Sequence, residues 1–178
     1  MDSDYNPKGL NSDLLKERMR ELTFAQFNRE LNRMYKECEE FYHALSKRFG
    51  LSDSAFWILY TLRVEGQPLS ATDLGDALFL SKQTIHSGVK SLEARGLIEL
   101  RNSAADRRNK EICLTEKGEA FSRESVDQVV AFEERAFLSL EPGERSSRVQ
   151  AERRHLDALW EAAHPLFQGE DREGRGET

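Results

Sequence analysis

Cysteine is scarce in this chain. Two residues, Cys38 and Cys113, stand far apart among 178, which argues against a small secreted domain stapled by disulfides. Long apolar runs are missing as well, and nowhere do the roughly 18 consecutive apolar residues of a membrane span occur. The opening MDSDYNPKGLNSDLLKERMREL carries charges throughout, so it lacks the apolar centre of a signal peptide. A soluble, cytoplasmic protein with no membrane partner is the expectation. The four histidines, His43, His86, His155 and His164, show no spacing that would hold zinc unaided, so neither a metal nor a cofactor is expected. There is no glycine-rich phosphate loop, no GxSxG elbow and no HExxH pair, which speaks against an enzyme. No internal repeat is visible.

What the chain does have is a balance of 38% hydrophobic and 33% charged residues, enough for one substantial core or two small lobes. Its net charge of −6 is unevenly spread. Between Phe79 and Lys110 lie Lys82, Lys90, Arg95, Arg101, Arg107, Arg108 and Lys110, against only Glu93, Glu99 and Asp106. Local charge, and not the sum over the chain, decides whether a surface holds phosphate. A basic segment in an acidic frame suits a protein that touches nucleic acid along one edge.

Residues 1–10 are polar and expected to be disordered. From about Asn11 to Arg48 the pattern is helical, most clearly after Thr23, where Phe24, Phe27, Leu31, Met34, Tyr35, Cys38, Phe41, Tyr42 and Leu45 recur at steps of three and four. Thr23 is placed to cap this helix and Gly50 to stop it. A second helix follows from Ser52 or Ser54 to about Val64, ended by the turn EGQP. Ser70 or Thr72 then caps a short helix with Leu74, Ala77 and Leu78 facing inward.

The next helix opens at Ser81. Its Ile85, Val89 and Leu92 fall at i, i+4 and i+7 and must face a core, which leaves Lys82, Gln83, His86, Ser87 and Lys90 on the other side. Gly96 ends it. Extended segments around Leu97–Ile98 and KEICLT then flank the polar turn NSAADRRN. Thr115 is expected to cap one continuous helix carrying Phe121, Val126, Val129, Val130, Phe132, Phe137 and Leu138. EPGE reads as a break, and a last helix from Arg145 to Ala163, with Val149, Leu156, Leu159 and Trp160, is expected to stop at Pro165. The segment 166–178 has too few apolar residues to fold. The fold class is therefore mainly α: a winged helix-turn-helix at 51–118 with a small β-hairpin, flanked by a helical dimerisation region at 11–50 and 119–165. Exposing the apolar stripes of the first and last helices would leave a large patch on a monomer, so burial alone predicts a homodimer.

Helix, turn, helix in this order places the second helix in the major groove of double-stranded DNA. Ser81, Lys82, Gln83, Thr84 and His86 suit base edges there, since Gln pairs with adenine, Lys with guanine, and Ser or Thr with either base or phosphate. Lys90 is better placed for phosphate. Arg107, Arg108 and Lys110 at the hairpin tip suit an adjoining minor groove, with Asp106 in position to brace an arginine. Gly88 is anomalous inside such a helix, costing about 1 kcal/mol relative to alanine unless close packing demands it.

From Leu51 to Gly118 the chain resembles the MarR family of bacterial winged-helix transcription regulators, carried by LEARGLIEL, DRR and LTEKG at their spacing. The flanking helices match that family's dimerisation region in position and only loosely in sequence. The resemblance implies a homodimer on a pseudo-palindromic operator, usually a repressor, released when a small ligand or an oxidant alters the spacing of its reading heads. By position it implies Ser81, Lys82, Gln83, Thr84, His86, Ser87 and Lys90 as base and backbone readers and Arg107 and Arg108 as wing readers. It also implies a ligand crevice, for which Phe24, Phe27, Phe41, Tyr42, Trp57 and Tyr60 are candidates; aromatics at this spacing more often make a core, and the two share the same lining. Cys38 reads as a small buried hydrophobe in preference to a peroxide sensor. Cys113 alternates with Ile112 and Leu114 on a strand. A winged helix that binds protein through the same helix remains the alternative, and salt-sensitive duplex binding separates the two.

Overall fold

The computed structural model describes residues 22–102 and 110–167. The chain divides into two compact units, Met1–Ala120 and Phe121–Thr178. The first contains α1 (Phe24–Arg48), α2 (Asp53–Glu65), β1 (Leu69–Ser70), α3 (Ala71–Leu78), α4 (Lys82–Ala94), β2 (Ile98–Asn102) and β3 (Lys110–Leu114). Helix α5 (Glu116–Glu124) leads into the second unit, which holds α6 (Val126–Leu138) and α7 (Pro142–Phe167).

Caps set most of these boundaries. Thr23 and Gln26 form a reciprocal capping box at α1, so two otherwise unsatisfied amides of the first turn gain partners. Ser52, not Ser54, caps α2, and Ser70, not Thr72, caps α3 by sharing hydrogen bonds with Asp73. Gly50, Gly66 and Gly96 take the left-handed conformation at φ of 66°, 65° and 69°, where a Cβ would crowd the backbone.

The core of the first unit is built from Phe56, Ile58 and Leu59 of α2, Leu74 of α3, Ile85 and Leu92 of α4, and Leu97, Ile98 and Ile112 around the sheet, all fully buried. Leu74 points inward as its spacing predicts, but Ala77 is exposed and Leu78 only half-buried. A helix of eight residues covered on one side has room for one deeply buried position. The expected hairpin pairs Ile98 with Leu114 through Asn102 with Lys110. A third strand, β1, adds to its other edge and pairs Leu69 with Ile112. Two residues are too few to show an alternating pattern, which is why the sequence gives no sign of it.

Three corrections concern the second unit. The helix expected to run unbroken from Thr115 is interrupted at Ser125, whose φ of −129° and ψ of −74° separate α5 from α6. Its hydroxyl donates to the Phe121 carbonyl instead of capping α6. The last helix starts at Pro142 and not at Arg145, because proline is well suited to the first helical position, where an amide hydrogen has no partner. It also continues past Pro165 to Phe167, so residues 166 and 167 are helical and not tail. Proline near a helix end forfeits a bond that fraying already weakens. The expectations for residues 1–10 and 168–178 lie outside the described residues.

Phe79 is the one non-glycine residue with positive φ among those described, at 52°, and its side chain is 96% exposed. Left-handed backbone costs about 1–2 kcal/mol for a residue with a Cβ, and burial returns nothing here. Phe79→Gly relieves that strain while adding roughly 0.5–1 kcal/mol of freedom to the unfolded chain. The variant is expected to be more stable by up to about 1 kcal/mol in urea denaturation.

Candidate nucleic-acid interface

Helix α4 is oriented by what it cannot accommodate on its buried side. A Cβ on Gly88 would lie 2.6 Å from Ile58 Cδ1 and 3.3 Å from the Ser54 carbonyl carbon. The close packing that would justify a mid-helix glycine is therefore present, against α2. Ile85, Val89 and Leu92 share that buried side, and Lys82, Gln83, His86, Ser87 and Lys90 are exposed opposite them.

Ser81 caps the helix, accepting the Thr84 amide at 3.2 Å, and the two hydroxyls lie 2.8 Å apart. Thr84 is half-buried. These two side chains are thus held by the cap, and the side chains free to reach outward begin at Lys82. At the other end, the segment LTEKG locks α4 to the sheet. Thr115 Oγ1 donates to the Gly96 carbonyl at 2.7 Å, Lys117 Nζ to the Arg95 carbonyl at 2.6 Å, and the Thr115 amide to the Leu97 carbonyl at 3.1 Å. Orphan carbonyls at the helix end are satisfied this way, and the angle between helix and wing is fixed by the same bonds.

The basic segment is not uniformly available. Arg101 pairs with Glu99, and Arg95 donates to the Gly50 carbonyl at 2.7 Å, so both are committed inside the unit. Lys82, Lys90 and Lys110 make no ion pair among the described residues, and Lys82 and Lys110 rim a cleft of about 560 Å³ with Gln83 and His86, floored by Ile85 and Val89. Arg107, Arg108 and Asp106 lie outside the described residues. A row of unpaired ammonium groups beside amide and imidazole side chains can neutralise phosphates and donate to base edges.

The six candidate ligand aromatics are dispersed. Tyr42 and Trp57 meet at 4.7 Å between centroids and line a groove of about 760 Å³. Tyr60 lies 5.4 Å from Trp57 and Phe41 5.2 Å from Tyr42. Phe24 is 80% exposed, and with Phe27 it sits at the far end of α1, about 25 Å from Phe41 at 1.5 Å per residue. Tyr35, Cys38, Glu39 and Glu40 also line the groove, and the pattern of apolar residues could not disclose the acids. Cys38, expected to be buried, is exposed; Ser46 is the sole buried residue of α1. Cys113 is buried, and burial pushes its thiol pKa up, away from the reactive thiolate.

The sequence model of the MarR family matches residues 49–109. Among solved structures, a MarR family regulator from Neisseria meningitidis is similar at 28% identity, covering 82% of this chain and 98% of its own, with a TM-score of 0.62. The regulator MarR of Oenococcus oeni has the same TM-score at 17% identity over 74% of this chain and 98% of its own. BpsR of Bordetella bronchiseptica, whose DNA binding is regulated by 6-hydroxynicotinic acid, reaches 0.57 at 24% identity over 77% and 98%. No curated protein matches. No helix among the described residues is long and apolar enough to cross a membrane. The family model covers about a third of the chain, and the winged-helix core with its three-stranded sheet and flanking helices is similar in fold to these MarR family regulators.

Proposed function

We propose that the protein is a cytoplasmic, sequence-specific DNA-binding repressor that acts as a homodimer on a pseudo-palindromic operator and is released by a small ligand or an oxidant. The observation that carries this reading is the outward face of α4, where Lys82 and Lys90 stand without acidic partners among the described residues while the opposite face is fully packed. A face used only for solubility would gain from mixed charge. Gln83 is the candidate base reader, Lys82 and Lys90 positioning contacts, and Arg107, Arg108 and Lys110 the wing contacts, with Ser81, Thr84, His86 and Ser87 completing the surface.

Dimerisation is supported by unburied apolar surface. Phe24, Met34 and Phe41 on α1 are about half exposed or more, as are Leu159, Trp160 and Leu166 on α7, which buries none of its residues. Large exposed apolar patches are rare on monomers, and a two-fold pairing would cover these side chains. Half-sites would then lie roughly 10 base pairs, or a multiple, apart.

Selection of bound sequences from a random duplex pool tests the proposal, with sedimentation at twice the 20.5 kDa chain mass as its companion. Gln83→Ala is expected to shift preference at one base pair per half-site by roughly 1–3 kcal/mol. Equal loss on all sequences would make Gln83 a positioning contact, and failure to enrich any duplex would remove the reading altogether.

A further inference from the structure

We propose that Phe79 is a further specificity-determining residue of the DNA-reading surface, its ring packing against the C5 methyl group of a thymine at the edge of each half-site. This assignment rests on the reading of a sequence-specific DNA-binding protein and adds an apolar contact to the polar ones. Phe79 closes α3 as its C-cap with φ of 52° and ψ of 36°, in the left-handed region that disfavours any side chain with a Cβ. Glycine is the ordinary residue there. The turn itself does not need a ring, because the bonds that close it are backbone: the Phe79 and Leu80 amides both donate to the Gly75 carbonyl. Nor does the core, since the side chain is 96% exposed. A strained residue that contributes to neither turn nor core points to a contact made outside the chain.

Its place in the fold names that contact. Phe79 lies two residues ahead of the Ser81 cap, so its Cα is within about 7.6 Å of that of Ser81, at 3.8 Å per step. The first residues of a recognition helix meet base edges in the major groove, and Lys82 and Gln83 follow directly. Thymine offers an apolar group there, its C5 methyl, and phenylalanine is among the side chains that suit it. A protein partner is the less apt occupant. Around Phe79 in the chain the exposed residues are Asp76, Ala77, Ser81 and Lys82, none a second large apolar group, whereas a protein interface buries a cluster of them. A single ring suits a single methyl.

Deoxyuridine differs from thymidine by that methyl alone, so replacing thymines one at a time in a duplex selected by the full chain isolates the contact. Fluorescence anisotropy is expected to show one thymine per half-site whose replacement weakens the parent protein about fourfold, the factor that burying one methyl confers. Phe79→Gly and Phe79→Asn both suit left-handed backbone. They should bind the thymine duplex as weakly as the parent binds the uracil one, and be indifferent to replacement at that position while remaining sensitive at other thymines. Phe79→Tyr keeps the ring and should keep the effect. Because Phe79→Gly is expected to be the more stable protein, its loss of affinity cannot be attributed to unfolding. An equal loss on both duplexes would make Phe79 a structural or sugar-phosphate contact, and unaltered affinity of both variants would assign the ring to a protein partner; either overturns the assignment. Failure to enrich any duplex is a different result, which removes the DNA reading itself and this contact with it.

Discussion

Gly118→Ala is expected to cost about 3–5 kcal/mol, enough to unfold a domain of ordinary stability. A Cβ built on Gly118 would lie 1.9 Å from the Leu97 carbonyl oxygen and 2.9 Å from its carbon. No rotamer relieves a Cβ, and the obstacle is backbone. The Leu97 carbonyl also accepts the Thr115 amide at 3.1 Å, while the Gly118 amide donates to Thr115 Oγ1 at 3.0 Å. Moving Leu97 away would therefore break the joint between α4 and the wing and disturb the buried Leu97 and Ile98. Urea denaturation measures the loss, and Gly143→Ala is the control, because a Cβ there meets nothing within 4 Å. Comparable stability of the two variants would mean that the α5 start can shift without cost. Gly88→Ala is intermediate: the 2.6 Å approach is to the end of the Ile58 side chain, which can rotate.

The second large effect is expected in DNA binding. Each chain presents Lys82, Lys90 and Lys110 unpaired among the described residues, and the proposed dimer would double every phosphate contact. A protein neutralising 6–10 phosphates loses about 10³–10⁵ in affinity between 50 and 200 mM salt. Fluorescence anisotropy on a selected duplex is expected to show a steep linear decline of log affinity with log salt. Lys90→Ala should flatten that slope by roughly two, one phosphate per half-site at about 0.9 each, and weaken all sequences alike. A slope near zero for the parent protein would show that α4 faces a protein partner instead. Lys82→Ala is the more informative companion. If Lys82 reads guanine, its loss changes both the slope and the preferred sequence.

These two predictions draw on different kinds of legibility. The identity of α4, its cap at Ser81 and its division into packed and open faces follow from 3.6-residue periodicity and short-range hydrogen bonding, which neighbours along the chain determine. The commitment of Arg95 to the Gly50 carbonyl, 45 residues away, does not. Counting charges between Phe79 and Lys110 overstates the available cations, because two arginines serve the fold. The opposite happens at Cys38: its place on an aromatic stripe suggests burial, yet a stripe is buried only where something covers it, and Cys38 is exposed.

Spacing and caps alone determine the helix order, the turn before α4, the hairpin and the outward polar face, since each depends on residues within a few positions of one another. Tertiary structure decided the third strand at Leu69–Ser70, the reason for Gly88 and Gly118, and the meeting of acids with rings beside Trp57. Those features arise where segments distant in sequence come into contact, and steric exclusion and charge pairing across such contacts leave no periodic trace in the chain.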